Sequence, residues 1–197
     1  MGLRGETAGR AGLALWAGAM LLLGAALLGR HMIALPRPSA QDEVLGRSMA
    51  SLRGAPDAGR WMAVHVLYGE CKCSQRVVDH LLSSERPADL SEKVLLVGGD
   101  DALRDRLTAR HFAVVPVAAE DLDARYHVSG VPLLVVVDPD GLIRYSGGYT
   151  TSKQGPDPRD VEIIADARAD RTVAALPVFG CAVSQKLRAA LNPLGVP

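Results

Sequence analysis

Three short apolar runs rich in β-branched residues constrain this chain more than any other feature of its sequence. They are Met62–Tyr68 (MAVHVLY), Lys93–Val97 (KVLLV) and Leu133–Val137 (LLVVV). Each is too short for a buried helix and too continuous for a strand with one wet face, so each predicts a strand covered on both sides. Between them lie stretches with helical spacing: Cys73–Leu82 with Val77, Val78, Leu81 and Leu82, then Asp100-Asp101 to about Arg110, then Ala119–Tyr126. Phe112–Val115 predicts one further short strand. The last run passes through Asp138-Pro-Asp-Gly141 into Leu142–Tyr145, a hairpin signal because Pro139 presets φ and Gly141 accepts a positive one. Strands and helices alternate up to a final antiparallel pair, which makes this an α/β chain with a central mixed β-sheet flanked by helices. Beyond Tyr149 the pattern loosens into a polar loop (Thr150–Arg159), with helices expected over Asp160–Ala169 and Ala182–Leu191 and Cys181 in the loop that opens the second.

The apolar content, 48% of 197 residues with 22% charged, is ample for one packed core. Lys and Arg equal Asp and Glu at 22 each, and only 4% of residues are aromatic. A phosphate backbone needs a concentrated positive excess and unpaired bases need stacking platforms, so nucleic acid is excluded as the main partner. Ahead of the sheet pattern, Ala11–Gly29 runs 19 residues without a charge. As a helix it would be about 28 Å long, the thickness of a bilayer core. It lacks the polar stripe of a core helix, and the nearest cleavage-like site, Pro38-Ser39-Ala40, is a poor one, so an uncleaved anchor is preferred to a signal peptide. Arg4 and Arg10 before it are balanced by Arg30, His31 and Arg37 after it, which leaves orientation undecided by charge. The expected organisation is a tip and transmembrane anchor over 1–35, a tether with a short amphipathic helix over 36–60, and a folded domain over 61–197.

The chemistry gathers at Gly69-Glu-Cys-Lys-Cys-Ser74, where a buried strand ends and a helix begins. Backbone N–H groups at a helix start stabilise a thiolate, and Lys72 places a positive charge between Cys71 and Cys73 while Glu70 opposes it. At least one of the two thiols is therefore expected to be more acidic than a free cysteine. Three cysteines are too few for a disulfide scaffold, and one pair would leave a thiol over.

These residues resemble the thioredoxin-like superfamily, in particular its membrane-anchored TlpA/ResA-type thiol–disulfide oxidoreductases. The resemblance covers Trp61 to Tyr149. It is carried by the strand leading into the cysteine motif, by Tyr126-His-Val-Ser-Gly-Val-Pro132, and by Leu133–Gly148 (LLVVVDPDGLIRYSGG). The helix and strand between Asp100 and Val115 are similar to the insertion of TlpA-type domains. The family likeness implies a thioredoxin-like fold, a cis-proline at Pro132 set against the active-site cysteine, and a backbone group beside it for a bound peptide. It also implies an extracytoplasmic location, with the domain outside the cytoplasmic membrane, and protein thiols or disulfides as substrates with a redox partner protein. His65, six residues before Cys71, falls where thioredoxins keep a buried acid, so it is a candidate proton carrier as well as a candidate core histidine.

The motif departs from the family's CxxC: Cys71 takes the nucleophile's place, Ser74 that of the second cysteine, and Cys73 is an addition. A Cys71–Cys73 bond would close a small ring, Cys181 would serve instead if the chain folds back, and Cys181 as an idle thiol is the third arrangement. The candidate catalytic set is Cys71, Cys73, Cys181, Pro132, Lys72 and His65, with no cofactor required. Two alternatives stand beside it. Cys71 and Cys73 as soft thiolates would suit copper, although the spacing is shorter than the CxxxC of Sco-type copper chaperones and no histidine stands in LLVVV before the hairpin. A redox-inert assembly factor would need no acidic thiolate at all.

Overall fold

The computed structural model describes residues 3–31, 33–99, 101–153, 155 and 157–191, with the side chains of 3–8, 26–28, 30 and 31 outside the description. The chain divides into two compact units, Met1–Ile33 and Ala34–Pro197.

The first unit is helix α1, Leu3–His31. Its described apolar side chains face outward without a buried stripe: Leu13 is 70%, Trp16 65% and Leu22 74% exposed. Among the described residues no helix is long and apolar enough to cross a membrane. Part of the expected anchor, residues 26–28, lies outside the described side chains.

The second unit begins earlier than a domain starting at Trp61 would. The segment expected to be a tether is part of the fold, because its helix α2 (Glu43–Leu52) has an apolar face that must be covered. Asp42 caps it, its carboxylate accepting the Leu45 N–H at 2.9 Å, and Leu45 and Met49 are fully buried in the core. Arg53, just past the helix, donates to the carbonyls of Asp57, Arg60 and Asp138 at 3.1, 2.8 and 2.6 Å, which ties this segment to the far end of the sheet.

The sheet is built on β1 (Trp61–Tyr68) at its centre. β2 (Leu90–Val97) pairs parallel to it, from Trp61 opposite Leu90 to Tyr68 opposite Val97. Helix α3 (Lys72–Ser83) makes the crossover between them. Helix α4 (Asp101–Ala109) leads to β3 (Ala113–Val117), parallel to β2 at the sheet edge. Asp100, expected to open α4, lies outside the described residues. Pro116 is tolerated in β3 because an edge strand has one side without ladder bonds. Helix α5 (Ala119–Tyr126) and the two-residue β4 (Gly130–Val131) follow, then β5 (Leu133–Val137) antiparallel to β1 and β6 (Ile143–Gly147) antiparallel to β5. The order β3-β2-β1-β5-β6 is the expected mixed sheet.

Strand alternation sorts the core into two layers. Met62, Val64 and Val66 face α2, α5 and the buried Val178 and Val183. Ala63 and Leu67 face Val77, Val78 and Leu81 of α3, Leu107 of α4, and Ile163, Ile164 and Ala167 of α6 (Asp160–Arg168). The C-terminal segment departs from expectation. Cys181–Ala182 is a strand, β7, and the last helix, α7, starts only at Gln185 and runs to Leu191. Ala182 pairs with Gly130 and the Val183 N–H donates to the Ser129 carbonyl at 2.8 Å, so these residues cannot join a helix.

Candidate active site

Cys71 sits where β1 gives way to α3. The Gly69 N–H donates to the Val97 carbonyl at 2.9 Å, and a Cβ at Gly69 would lie 2.5 Å from the Gly99 Cα, so only glycine lets the two chain ends approach this closely. The Cys71 N–H then donates to the Tyr68 carbonyl at 3.0 Å, and the Cys71 carbonyl accepts the Gln75 N–H at 2.9 Å. Cys71 is thus the N-cap residue of α3, at the helix end where the macrodipole favours negative charge. Ser74, in the place of a second CxxC cysteine, is buried, and its hydroxyl accepts the Tyr68 N–H at 3.1 Å.

The sulfur of Cys71 is bonded to Cys181, 110 residues away, with a Cα–Cα distance of 6.2 Å. Cys73 is the free cysteine and is half-buried. The small-ring Cys71–Cys73 bond, one of the arrangements open to the sequence, is therefore not the one formed. Cys73 is already the second residue of α3, and side chains two apart at a helix start do not face each other.

Cys181 reaches Cys71 because β7 lies antiparallel to β4, with Cys181 opposite Val131 and Ala182 opposite Gly130. The Val131–Pro132 bond, next in the chain, is cis, as the sequence resemblance implied. The backbone beside the cis-proline was expected to await a peptide, and it is instead paired with the protein's own C-terminal segment. The fit is close: a Cβ on Gly180 would lie 1.9 Å from the Val131 carbonyl oxygen and 2.6 Å from Pro132 Cδ.

His65 is fully buried on the layer facing α3 and α6. Its Nε2 stands 3.2 Å from Glu92 Oε1 and its Nδ1 2.8 Å from the Tyr149 hydroxyl, with the Phe112 ring edge-on. Both ring nitrogens are thereby satisfied. Burial pushes the Glu92 carboxyl up, but hydrogen bonds from His65 and Arg86 outweigh it and hold Glu92 down at about 2. Burial likewise drives the Tyr149 hydroxyl well above its ordinary range. The network continues inward: Arg86 binds Glu92 and, at 2.6 Å, Asp160, and Asp160 accepts from His80 at 2.7 Å. At its other end Tyr149 lines a small cavity with Cys73, Arg76, Pro132 and Phe179. His65 thus stands behind Tyr149, which separates it from the cavity. Lys72 is exposed at the first position of α3.

Glu92, Arg86, Asp160 and Tyr149 were not singled out by sequence reasoning. A charged Glu92-Lys93 pair inside an otherwise apolar strand was the available signal. Lys93 is answered by Asp57 at 2.8 Å, which in turn accepts from Ser91 at 2.6 Å. Of the alternative copper pair, Cys71 is bonded to Cys181 and Cys73 is the free cysteine. Among the described residues, no group of three or more His, Cys, Asp or Glu stands together as a metal-ligand set.

The sheet order, the cysteine at the start of the helix after the central strand and the cis-proline before β5 make this a thioredoxin-like fold. No protein-family model matches the sequence, and no curated protein matches it. Remote likeness is found among solved structures. An uncharacterized conserved protein from Geobacillus kaustophilus aligns at 14% identity and a TM-score of 0.47, covering 65% of this chain and 78% of that one. A secreted Mycobacterium tuberculosis disulfide oxidoreductase, homologous to E. coli DsbE, aligns at 14% and 0.41, covering 58% and 85%. StoA from Bacillus subtilis aligns at 14% and 0.39, covering 55% and 83%.

Proposed function

We propose that this chain is a membrane-anchored thiol–disulfide oxidoreductase whose domain works outside the cytoplasm on protein thiols and disulfides. The observation that carries the reading is the Cys71–Cys181 bond at the N-terminus of α3, next to cis-Pro132. A cysteine at a helix start is a good leaving group, because the first-turn N–H groups stabilise the thiolate it becomes.

In this reading Cys71 and Cys181 are the exchanging pair. A donor thiolate attacks the half-buried Cys181 sulfur and expels Cys71 as thiolate, and a second donor thiolate then frees Cys181. In the opposite half-cycle the Cys71 thiolate attacks a substrate disulfide, one substrate sulfur leaves and takes a proton, and Cys181 closes on Cys71 to release the other. Two electrons pass from donor to substrate. Run backward, the same steps oxidise a substrate dithiol, and the reduction potential of the pair sets the direction. Lys72 adds positive charge at the helix start, and Tyr149 and His65 order the wall of the cavity behind Cys73 and Pro132.

Equilibration of the full chain in glutathione buffers spanning roughly −300 to −120 mV, with alkylation and mass mapping of the thiols, tests the proposal. A reversible Cys71–Cys181 bond is expected, retained in Cys73→Ser. Cys71→Ser should abolish exchange while the far-UV spectrum stays that of the wild type. A pair that neither opens nor re-forms anywhere in that range leaves a purely structural disulfide and ends the oxidoreductase reading.

A further inference from the structure

The backbone edge beside cis-Pro132 and the sulfur of Cys71 are both occupied by one stretch of the protein itself. Cys181 is bonded to Cys71, and the strand carrying it is paired with Gly130 and Val131. An extended segment held through its cysteine at one thiol and through its backbone at one strand edge has the geometry of a bound substrate peptide. Cys71 is only 2% exposed in this arrangement.

The way the stretch is fastened separates a fixed part from a movable one. Val178 and Val183 are fully buried in the core, and Phe179, Gly180, Cys181 and Ala182 between them are each only half-buried. On one side the Val178 carbonyl accepts the Leu35 N–H at 2.8 Å. On the other, the Ser129 carbonyl accepts the Val183 N–H at 2.8 Å, while Arg188 of α7 donates to the Ala182 and Val183 carbonyls at 3.2 and 2.9 Å. Between these anchors, two residue pairs hold the span to β4 and the disulfide holds it to Cys71. A two-residue ladder is marginal by itself.

We propose that Phe179–Ala182 is a built-in cover of the substrate edge, locked by the Cys71–Cys181 bond and released by its reduction. This rests on the oxidoreductase reading above and adds to it when the site is open. A dithiol donor reduces the bond, the span lifts between its two anchors, and Cys71 and the Gly130–Val131 edge become available to an extended cysteine-bearing segment of a protein disulfide. The Cys71 thiolate forms a mixed disulfide with one substrate sulfur and the other leaves as a thiol. Cys181, tethered at both ends and so at high effective concentration, attacks Cys71, re-forms the internal bond and expels the second substrate sulfur as the cover closes. Closure therefore coincides with product release. Gly180 is the residue that lets the cover seat, since any Cβ there meets the Val131 carbonyl.

Hydrogen exchange on the full-length wild type, oxidised and then reduced, tests this directly. Reduction should speed exchange at least tenfold in peptides spanning 129–133 and 179–183, with the central strand over 62–67 unchanged, and should bring Cys71 alkylation to within tenfold of that of Cys73. Exchange over 179–183 that changes less than twofold, with Cys71 still alkylated over a hundredfold more slowly than Cys73, would show a permanent strand and overturn the proposal. Cys181→Ser, which removes the lock, gives a second reading: open-state exchange without reductant is expected, and wild-type protection overturns it. The two readings fail separately. Opening on reduction without reversible re-formation of the bond in glutathione would retain the cover and remove the enzyme, whereas reversible exchange without opening would do the reverse.

Discussion

At the scale of single residues, the buried charges do more for this fold than their number suggests. Glu92 and Asp57 are each held at about 2 although burial pushes both upward, Glu92 by His65 and Arg86, Asp57 by Lys93 and Ser91. As pH falls below the ordinary carboxylate range the unfolded chain takes up protons that the folded one still refuses. The stability these groups contribute is therefore full above about pH 4.5 and drains away as pH falls toward about 2. Thermal melts across that window should show Tm falling with acidity, and Glu92→Gln should flatten the fall while lowering stability at neutral pH, because it leaves Arg86 with one buried partner fewer. A Tm that does not respond between about pH 5 and about pH 2 would mean these pairs contribute little. His65 belongs to the same set: its two nitrogens are answered by Glu92 and Tyr149, a demand visible in the sequence only as a histidine in an apolar strand.

Among the elements, α2 shows where reading by composition stopped short. Its apolar residues have helical spacing, so the helix was legible, whereas the face it covers was not, because that face includes α5 and β5 far along the chain. Leu45→Ala should cost about 2–5 kcal/mol in urea unfolding of the whole protein. A loss under about 0.5 kcal/mol, ordinary for surface positions, would return α2 to the role of a tether. β7 is the complementary case. Cys181-Ala-Val carries no strand signal of its own, and it becomes a strand because Gly130, Val131 and Ser129 present unpaired backbone groups there.

For the whole molecule, the Cys71–Cys181 bond closes a loop of 110 residues that contains most of the sheet. Loop-closure entropy then makes the oxidised protein more stable than the reduced one by about 2–5 kcal/mol. Urea midpoints with and without reductant measure the difference, and equal midpoints would show that the reduced chain is constrained in some other way. The unit Ala34–Pro197 holds all of the described core, which leaves Met1–Ile33 for a separate task. With Leu13, Trp16 and Leu22 outward, the proposed task is anchoring. The full chain should resist alkaline carbonate extraction from membranes, and a chain beginning at Ala34 should not sediment with them. Release of the full chain by carbonate would remove the anchor from the proposal.

The sequence by itself determined the local and repetitive features of this protein: apolar runs of strand length, helical spacings, the Asp138–Gly141 turn, and a cysteine at a strand-to-helix junction. Each depends on neighbours a few residues away, so each is written in a short window. Which sulfur meets Cys71, what occupies the edge beside Pro132, and which carboxylate meets the far side of Arg86 depend on residues 50 to 110 positions apart. Such partners are chosen by the packing of sheet and helices, which places Cys181 opposite Val131 and Asp160 beside Arg86. Only the tertiary structure could decide them.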